Sequence, residues 1–324
     1  MTHTRLYRDG ALEREDFPAR DISDYIEDPA CTVWLDVRDP DSADFDMIIE
    51  EFGLHALAVE DARAEHQRPK LDRYRTHLFL SAYAVSVDPA TCAVNAGEVS
   101  AFITGNALIT IRQGRACRIE DILSRWDEAS DLAKYGVGFL VYGLLDYLVD
   151  GHYSAVQELD ERIDDLEELL FEDGAEEIRA VQRRSFELRK SLVDLRRVVL
   201  PMREVVNTLM RRDLHVVPDP MVPYYQDVYD HVLRATEWTE SLRDLISTVM
   251  ETNLTVQGNR MNMIMKKVTS WAAIIAVPTA VTGFFGQNIP YPGFGTHTGF
   301  WASTVFMVIA SVLLYVVFKR RDWL

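Results

Sequence analysis

Neutral polar side chains punctuate an otherwise apolar stretch near the end of this chain. Asn262 precedes it, Thr269, Ser270, Thr279 and Thr282 lie within it, and Gly286-Gln287-Asn288 closes it. Hydroxyl and carboxamide oxygens can hold a hard cation, or its waters, without the strong grip of a carboxylate. Hydroxyls in a helix also bond back to the helix's own carbonyls, which is the competing use of the same residues. His297, just downstream, suits soft metals such as Zn²⁺, Co²⁺ or Ni²⁺ by its imidazole, although a lone loop histidine is more often simply solvated. Cys31, Cys92 and Cys117 are odd in number and lack paired metal-ligand spacing, so they read as reduced thiols. Catalytic signatures are missing. There is no glycine-rich phosphate loop, no His-Glu-x-x-His helix and no nucleophile elbow, and His66 beside Gln67 and Arg68 is the best candidate base. An enzyme is therefore not expected.

The elements that must position these oxygens are two apolar stretches, Val268 to Phe285 and Phe300 to Phe318, neither of which contains Asp, Glu, Lys or Arg. Each is long enough to span a bilayer, and the short connection predicts a membrane hairpin. Arg260, Lys266 and Lys267 precede the first span, Lys319, Arg320 and Arg321 follow the second, and the connecting loop has neither Lys nor Arg. That bias predicts a multi-pass protein of the plasma (inner) membrane with both termini cytoplasmic and the loop outside. The N-terminal Met-Thr-His-Thr-Arg-Leu-Tyr-Arg lacks the apolar core of a secretory signal, consistent with this placement. A lone hairpin meets lipid on every face, so a polar path requires several subunits around one axis. The first span, richer in hydroxyls than the second with its Ser303, Thr304 and Ser311, is expected to line it. Tyr291, Phe294, Phe300 and Trp301 suit an interfacial aromatic belt.

Upstream the chain is charge-rich. Its 324 residues carry a formal charge of −17, which excludes a nucleic-acid partner. Runs of β-branched and aromatic residues predict strands at Cys31 to Val37, His77 to Val87, Glu98 to Thr104 and Ala107 to Arg112. Helices are predicted at Ser42 to Phe52, Leu54 to Ala64 and Ile119 to Ala129, so the first 130 residues read as an α/β domain. Two long amphipathic helices follow, Val137 to Glu172 and Ala175 to Met210, turning at Asp173-Gly174. From Tyr224 no proline occurs until Pro278, and a helix of roughly 60 residues would be on the order of 90 Å long. The spacing of Trp238, Leu242, Leu245, Val249, Val256 and Met263 predicts a seam that packs against copies of the same helix. The acidic runs from Asp160 to Glu168 and Glu172 to Glu177 read as solvated helix faces.

In this order, several segments resemble the CorA family of divalent-cation transporters. They are Glu60-Asp61, His66-Gln67-Arg68-Pro69-Lys70, Tyr224-Tyr225-Gln226-Asp227-Val228-Tyr229-Asp230-His231, Pro278-Thr279, a Gly-x-Asn at Gly286-Gln287-Asn288 and the closing Lys319-Arg320-Arg321-Asp322-Trp323-Leu324. The resemblance implies an α+β membrane protein forming a funnel-shaped homopentamer. Its subunit would comprise a cytosolic α/β domain (1–130), a helical hairpin (131–223), a stalk helix (224–267), a pore-lining span (268–286), an outer loop (287–299), a second span (300–318) and a basic tail (319–324).

By the same resemblance, Gly286, Gln287 and Asn288 form the selectivity filter, Asn262 and Thr279 line the pore, and Met265 and Val268 narrow it. Glu60, Asp61 and Asp227 would bind regulatory Mg²⁺ across a subunit boundary, closing the pore when cytosolic Mg²⁺ is high. The implied activity is channel-like Mg²⁺ uptake, with Co²⁺ and Ni²⁺ as surrogates. This chain departs from the family's pattern in Gln287, which stands where the family has Met, and in the loop Ile289 to Gly299, which has no acidic residue. Those departures leave open a Zn²⁺ transporter, including a proton-coupled one, and from another class a membrane-anchored scaffold or sensor.

Overall fold

The computed structural model describes residues 2–64, 67–114, 116–170, 175–287, 290 and 292–324. A seven-stranded sheet organises the first part of the chain. Its strands are β1 (Thr2–Arg8), β2 (Ala11–Glu15), β3 (Cys31–Arg38), β4 (Lys70–Arg73), β5 (Leu78–Val87), β6 (Val94–Ile103) and β7 (Ala107–Arg112), in the order β2-β1-β3-β7-β6-β5-β4. β3 and β7 run parallel, with Val33 opposite Ala107 and Leu35 opposite Ile109, and every other pairing is antiparallel.

Alternation along the strands builds two cores. Leu6, Val33, Leu35, Val37, Phe79 and Phe102 face one side, where Ile22 of the short segment before α1 (Ser23–Ile26), Phe45 and Ile48 of α2 (Ser42–Phe52) and Ala58 of α3 (Ala56–Arg63) cover them. Trp34, Leu80, Val99, Ala101 and Leu108 face the other, against α4 (Ile119–Glu128) and α5 (Val137–Leu169). Trp34 and Trp126 meet edge to face at 4.9 Å. Within that second layer lies a buried polar network. Arg112 donates Nε to Asp36 Oδ1 at 2.8 Å and Nη2 to Oδ2 at 2.6 Å, and Thr110 Oγ1 donates to the same carboxylate. Asp36 is fully buried, so its charge depends on these donors.

Helices α5 and α6 (Ala175–Leu209) pair through Val156, Leu159, Ile163 and Leu166 against Leu188, Leu192, Leu195 and Val199. The expected turn at Asp173-Gly174 lies outside the described residues. Helix α7 (Val222–Phe285) begins in the same cores: Tyr225, Val228 and Val232 join the sheet's second layer. Ala235, Leu242, Ile246 and Val249 pack with α5 and α6. This corrects the expectation that the seam from Trp238 serves contacts between copies. Up to Val249 those positions pack within the chain, Leu242 and Val249 buried and Trp238 and Leu245 partly so, because α5 and α6 present a complementary stripe.

By contact density the chain divides into Met1–Val249 and Met250–Leu324. In the second unit, the C-terminal part of α7 and all of α8 (His297–Arg320) are long and apolar enough to cross a membrane. Their apolar side chains stand open, as with Ile275 at 62 % and Phe306 at 61 % exposure. Such a surface is unfavourable in water and suits lipid or further protein.

Candidate functional site: a polar face on the membrane helix and a carboxylate pair beside the sheet

At 100° per residue, Asn262, Met265, Val268, Thr269 and Thr279 fall within about a third of the circumference of α7. All are exposed, Met265 at 56 % and Val268 at 59 %. Ser270 Oγ donates to the carbonyl of Lys266 at 2.8 Å, Thr279 Oγ1 to that of Ile275 at 3.0 Å and Thr282 Oγ1 to that of Pro278 at 2.8 Å. Their protons are therefore engaged by their own helix, which leaves each oxygen an acceptor only. For the exposed Thr279 and Thr282 that suits a cation or the oxygen-bound protons of its waters, whereas Ser270 is buried. Pro278 lacks an N–H, so the ladder is interrupted beside Thr279.

The helix closes at Gly286, whose N–H donates to Thr282 O at 2.8 Å. A Cβ at this position would lie 2.8 Å from that same carbonyl oxygen, inside contact distance, so the turn requires glycine. Gln287 follows, exposed, its N–H reaching Phe284 O at 3.3 Å. Asn288, the third filter residue expected from sequence, lies outside the described residues. Thr296 caps α8 by accepting from Gly299 N at 3.1 Å, and His297 begins that helix exposed.

The cytosolic carboxylates fall on two elements. Glu60 and Asp61 are in the last turns of α3, Glu60 exposed and Asp61 half-buried. Asp61 is not a bare carboxylate: Lys70 at the start of edge strand β4 places Nζ 2.7 Å from its Oδ2 and 3.0 Å from Asp72 Oδ2. Burial disfavours the Lys70 charge, but hydrogen bonds to the two carboxylates outweigh it and hold the ammonium above its ordinary pKa. Lys70 was visible in the sequence only as part of a motif. Its pairing role depends on β4, a four-residue strand with little apolar signal.

Asp227 is exposed near the start of α7. Burial foremost, with Asp146 and Asp227 adding, pushes the neighbouring Tyr142 phenol up to about 12. Close by, Arg125 bridges Asp146 and Asp150. Burial raises the Asp146 carboxyl above the usual range against the pull of Arg125. Among the described residues, no three His, Cys, Asp or Glu side chains of one chain converge on a possible metal position. His66 lies outside the described residues.

Known proteins resemble the whole of this arrangement. The profile of the family described as CorA-like Mg²⁺ transporter protein matches residues 30–320. The cobalt/magnesium transport protein CorA of Thermotoga maritima is 28 % identical over 96 % of this chain and 90 % of its own. The zinc transport protein ZntB of Cronobacter sakazakii is 27 % identical over 95 % and 92 %. The complete structure of the CorA magnesium transporter from Methanocaldococcus jannaschii superposes with a TM-score of 0.77 at 21 % identity, covering 100 % of this chain and 99 % of that one. Soluble α/β part, long helix and two C-terminal apolar helices thus recur in the same order, and the chain belongs to the CorA family of divalent metal cation transporters.

Proposed function

We propose that this chain is the subunit of a channel-like Mg²⁺ uptake system of the plasma membrane that also passes Co²⁺ and Ni²⁺. The observation that carries the reading is the exposed polar face of α7 ending in Gly286-Gln287. Mg²⁺ sheds water reluctantly, so a ring of carboxamide oxygens from Asn288 and Gln287 of each subunit would hold the hydrated ion through its waters. Met265 and Val268 would narrow the inner path, where an apolar ring closes by expelling water. Five copies would surround the axis, with both termini cytoplasmic by the charge bias of the flanks. Neither span contains an acidic residue or a histidine, which favours passive flow over a proton relay.

Glu60, Asp61 and Asp227 would hold regulatory Mg²⁺ between neighbouring subunits, since among the described residues of one chain no three such ligands converge. High cytosolic Mg²⁺ would then bridge the subunits and favour closure. Unchanged inhibition by internal Mg²⁺ in a D61A/D227A double variant would remove this assignment.

Zn²⁺ transport is the second reading, favoured by Gln287, by His297 and by the zinc-transporting relative. Ion-by-ion flux into liposomes decides between them, with Asn288→Ala as control. Full Mg²⁺ flux in that variant would exclude the carboxamide ring. No flux of any divalent cation in the wild type would instead favour a membrane-anchored scaffold or sensor.

A further inference from the structure

One end of the sheet bears a half-open cleft of about 740 Å³ lined by none of the residues assigned above to the ion path or the regulatory site. Its walls are the turns after β1, before β5 and before β7, the first turn of α5 and the segment before α7. The chain is strongly acidic, yet this cleft is cationic: Arg73, Arg75, Lys134 and His215 line it, and Asp9 is the only carboxylate among the lining residues. Arg73 is paired with Asp213 at 3.2 Å. Among the described residues, Arg75 makes no ion pair or hydrogen bond, and Lys134 makes none either, its ammonium lying over the Tyr135 ring at 5.2 Å. In a protein with 51 acidic residues against 34 basic ones, two cations without a carboxylate partner among the described residues in the lining of one cavity are a specific arrangement.

One further feature points the same way. Helix α5 starts in the cleft wall at Gly136 with no side-chain cap and no acidic residue in its first turn, so its positive end meets no acidic side chain of its own, although the Phe139 N–H is taken by Gly136 O at 3.0 Å. Behind the wall, His77 is 4 % exposed, its Nε2 is buried and its ring packs between Tyr74 and Phe102, so it shapes the lining without reaching into the cleft. The Tyr74 ring stacks between His77 at 5.1 Å and His55 at 4.7 Å, so the wall is stiff.

We infer that this cleft binds a soluble phosphoanion, of the size and charge of a diphosphate or nucleoside diphosphate. Guanidinium and ammonium groups match phosphate oxygens, and the volume is in the range of small-molecule sites. The inference stands apart from the transport reading, because its test needs no ion flux.

The test is calorimetric titration of the full-length protein, in neutral detergent and metal-free buffer at low salt, with sodium pyrophosphate and with ADP. Saturable binding is expected, weakened by at least about tenfold in R75E and in K134E, and weakened by added NaCl. Both side chains are exposed, and an unchanged melting temperature confirms that the variants are folded. No saturable binding to the wild type up to about 10 mM, equal binding by an R75E/K134E double variant, or equal affinity for sulfate would each overturn the inference. So would binding of short-chain phosphatidic acid alone, which would assign the cleft to a lipid headgroup.

Discussion

Replacing Lys70 by methionine is expected to make the proposed regulatory site more sensitive to Mg²⁺. Lys70 Nζ is 2.7 Å from Asp61 Oδ2 and 3.0 Å from Asp72 Oδ2, and the Lys70 and Asp61 side chains are 28 % and 26 % exposed. A cation that takes Asp61 as a ligand must displace this ammonium. Two unit charges 4 Å apart attract by about 4 kcal/mol at an effective dielectric of about 20, but screening and side-chain entropy leave pairs near a surface worth roughly 0.2–1 kcal/mol. With Asp72 relieved at the same time, the gain is about 1 kcal/mol, or roughly a fivefold fall in the Mg²⁺ concentration giving half-maximal inhibition. Methionine retains an unbranched stem near Phe79, over which the ammonium lies at 5.7 Å. The assay is uptake into proteoliposomes as a function of Mg²⁺ on the cytosolic face. A half-maximal concentration that is unchanged or higher, at wild-type peak flux, would refute a role for Asp61 as a ligand held in check by Lys70.

Gly286→Ala should cut flux by at least about tenfold, because the new methyl would press on Thr282 O at 2.8 Å and force the turn before the filter to shift by an overpacking cost of about 1–3 kcal/mol; wild-type flux would show that the turn does not set the filter. Asp36→Asn should destabilise the soluble part by about 3–5 kcal/mol, since it leaves the Arg112 guanidinium buried without its countercharge. Urea unfolding followed by tryptophan fluorescence measures this, and a loss below about 1 kcal/mol would contradict it. Burial lowers the His152 pKa to about 4, against the hydrogen bond to Tyr83 O that favours the charged ring. The unfolded chain then binds a proton near pH 6.5 that the folded chain refuses, so stability is full above that pH and falls as pH drops towards 4, by up to about 3 kcal/mol. In His152→Gln the slope of unfolding free energy between pH 6.5 and 4 should flatten, and an unchanged slope would place the titration elsewhere.

Much of the fold was legible because its signals are local. The apolar runs at Val268 and Phe300, the absence of proline from Tyr224 to Val277 and the β-branched strands around Val33, Phe79 and Ile109 all report backbone conformation within a few residues. Three strands were missed for a shared reason. β2 is exposed throughout, β4 is a short polar edge, and β1 buries Thr4 and Arg5 beside its apolar residues. Such strands exist because a neighbour pairs with them, and that pairing leaves little trace in their own composition.

The candidate site divides along the same line. Residue type and helical spacing alone placed Asn262, Thr269 and Thr279 on one face of an apolar helix and Gly286 at its end, because a helix carries its periodicity in the sequence. The use of those residues was not determined there. The structure chose the back-bonded option for the Ser270, Thr279 and Thr282 protons, and only its tertiary packing decided that Lys70 occupies Asp61 and that the α7 seam up to Val249 is spent inside the chain. Each of these is an event between particular atoms, from one helical turn apart for the hydroxyls to distant helices for the α7 seam. Hydrogen-bond and ion-pair partners are chosen by distances of about 3 Å, which sequence separation does not encode.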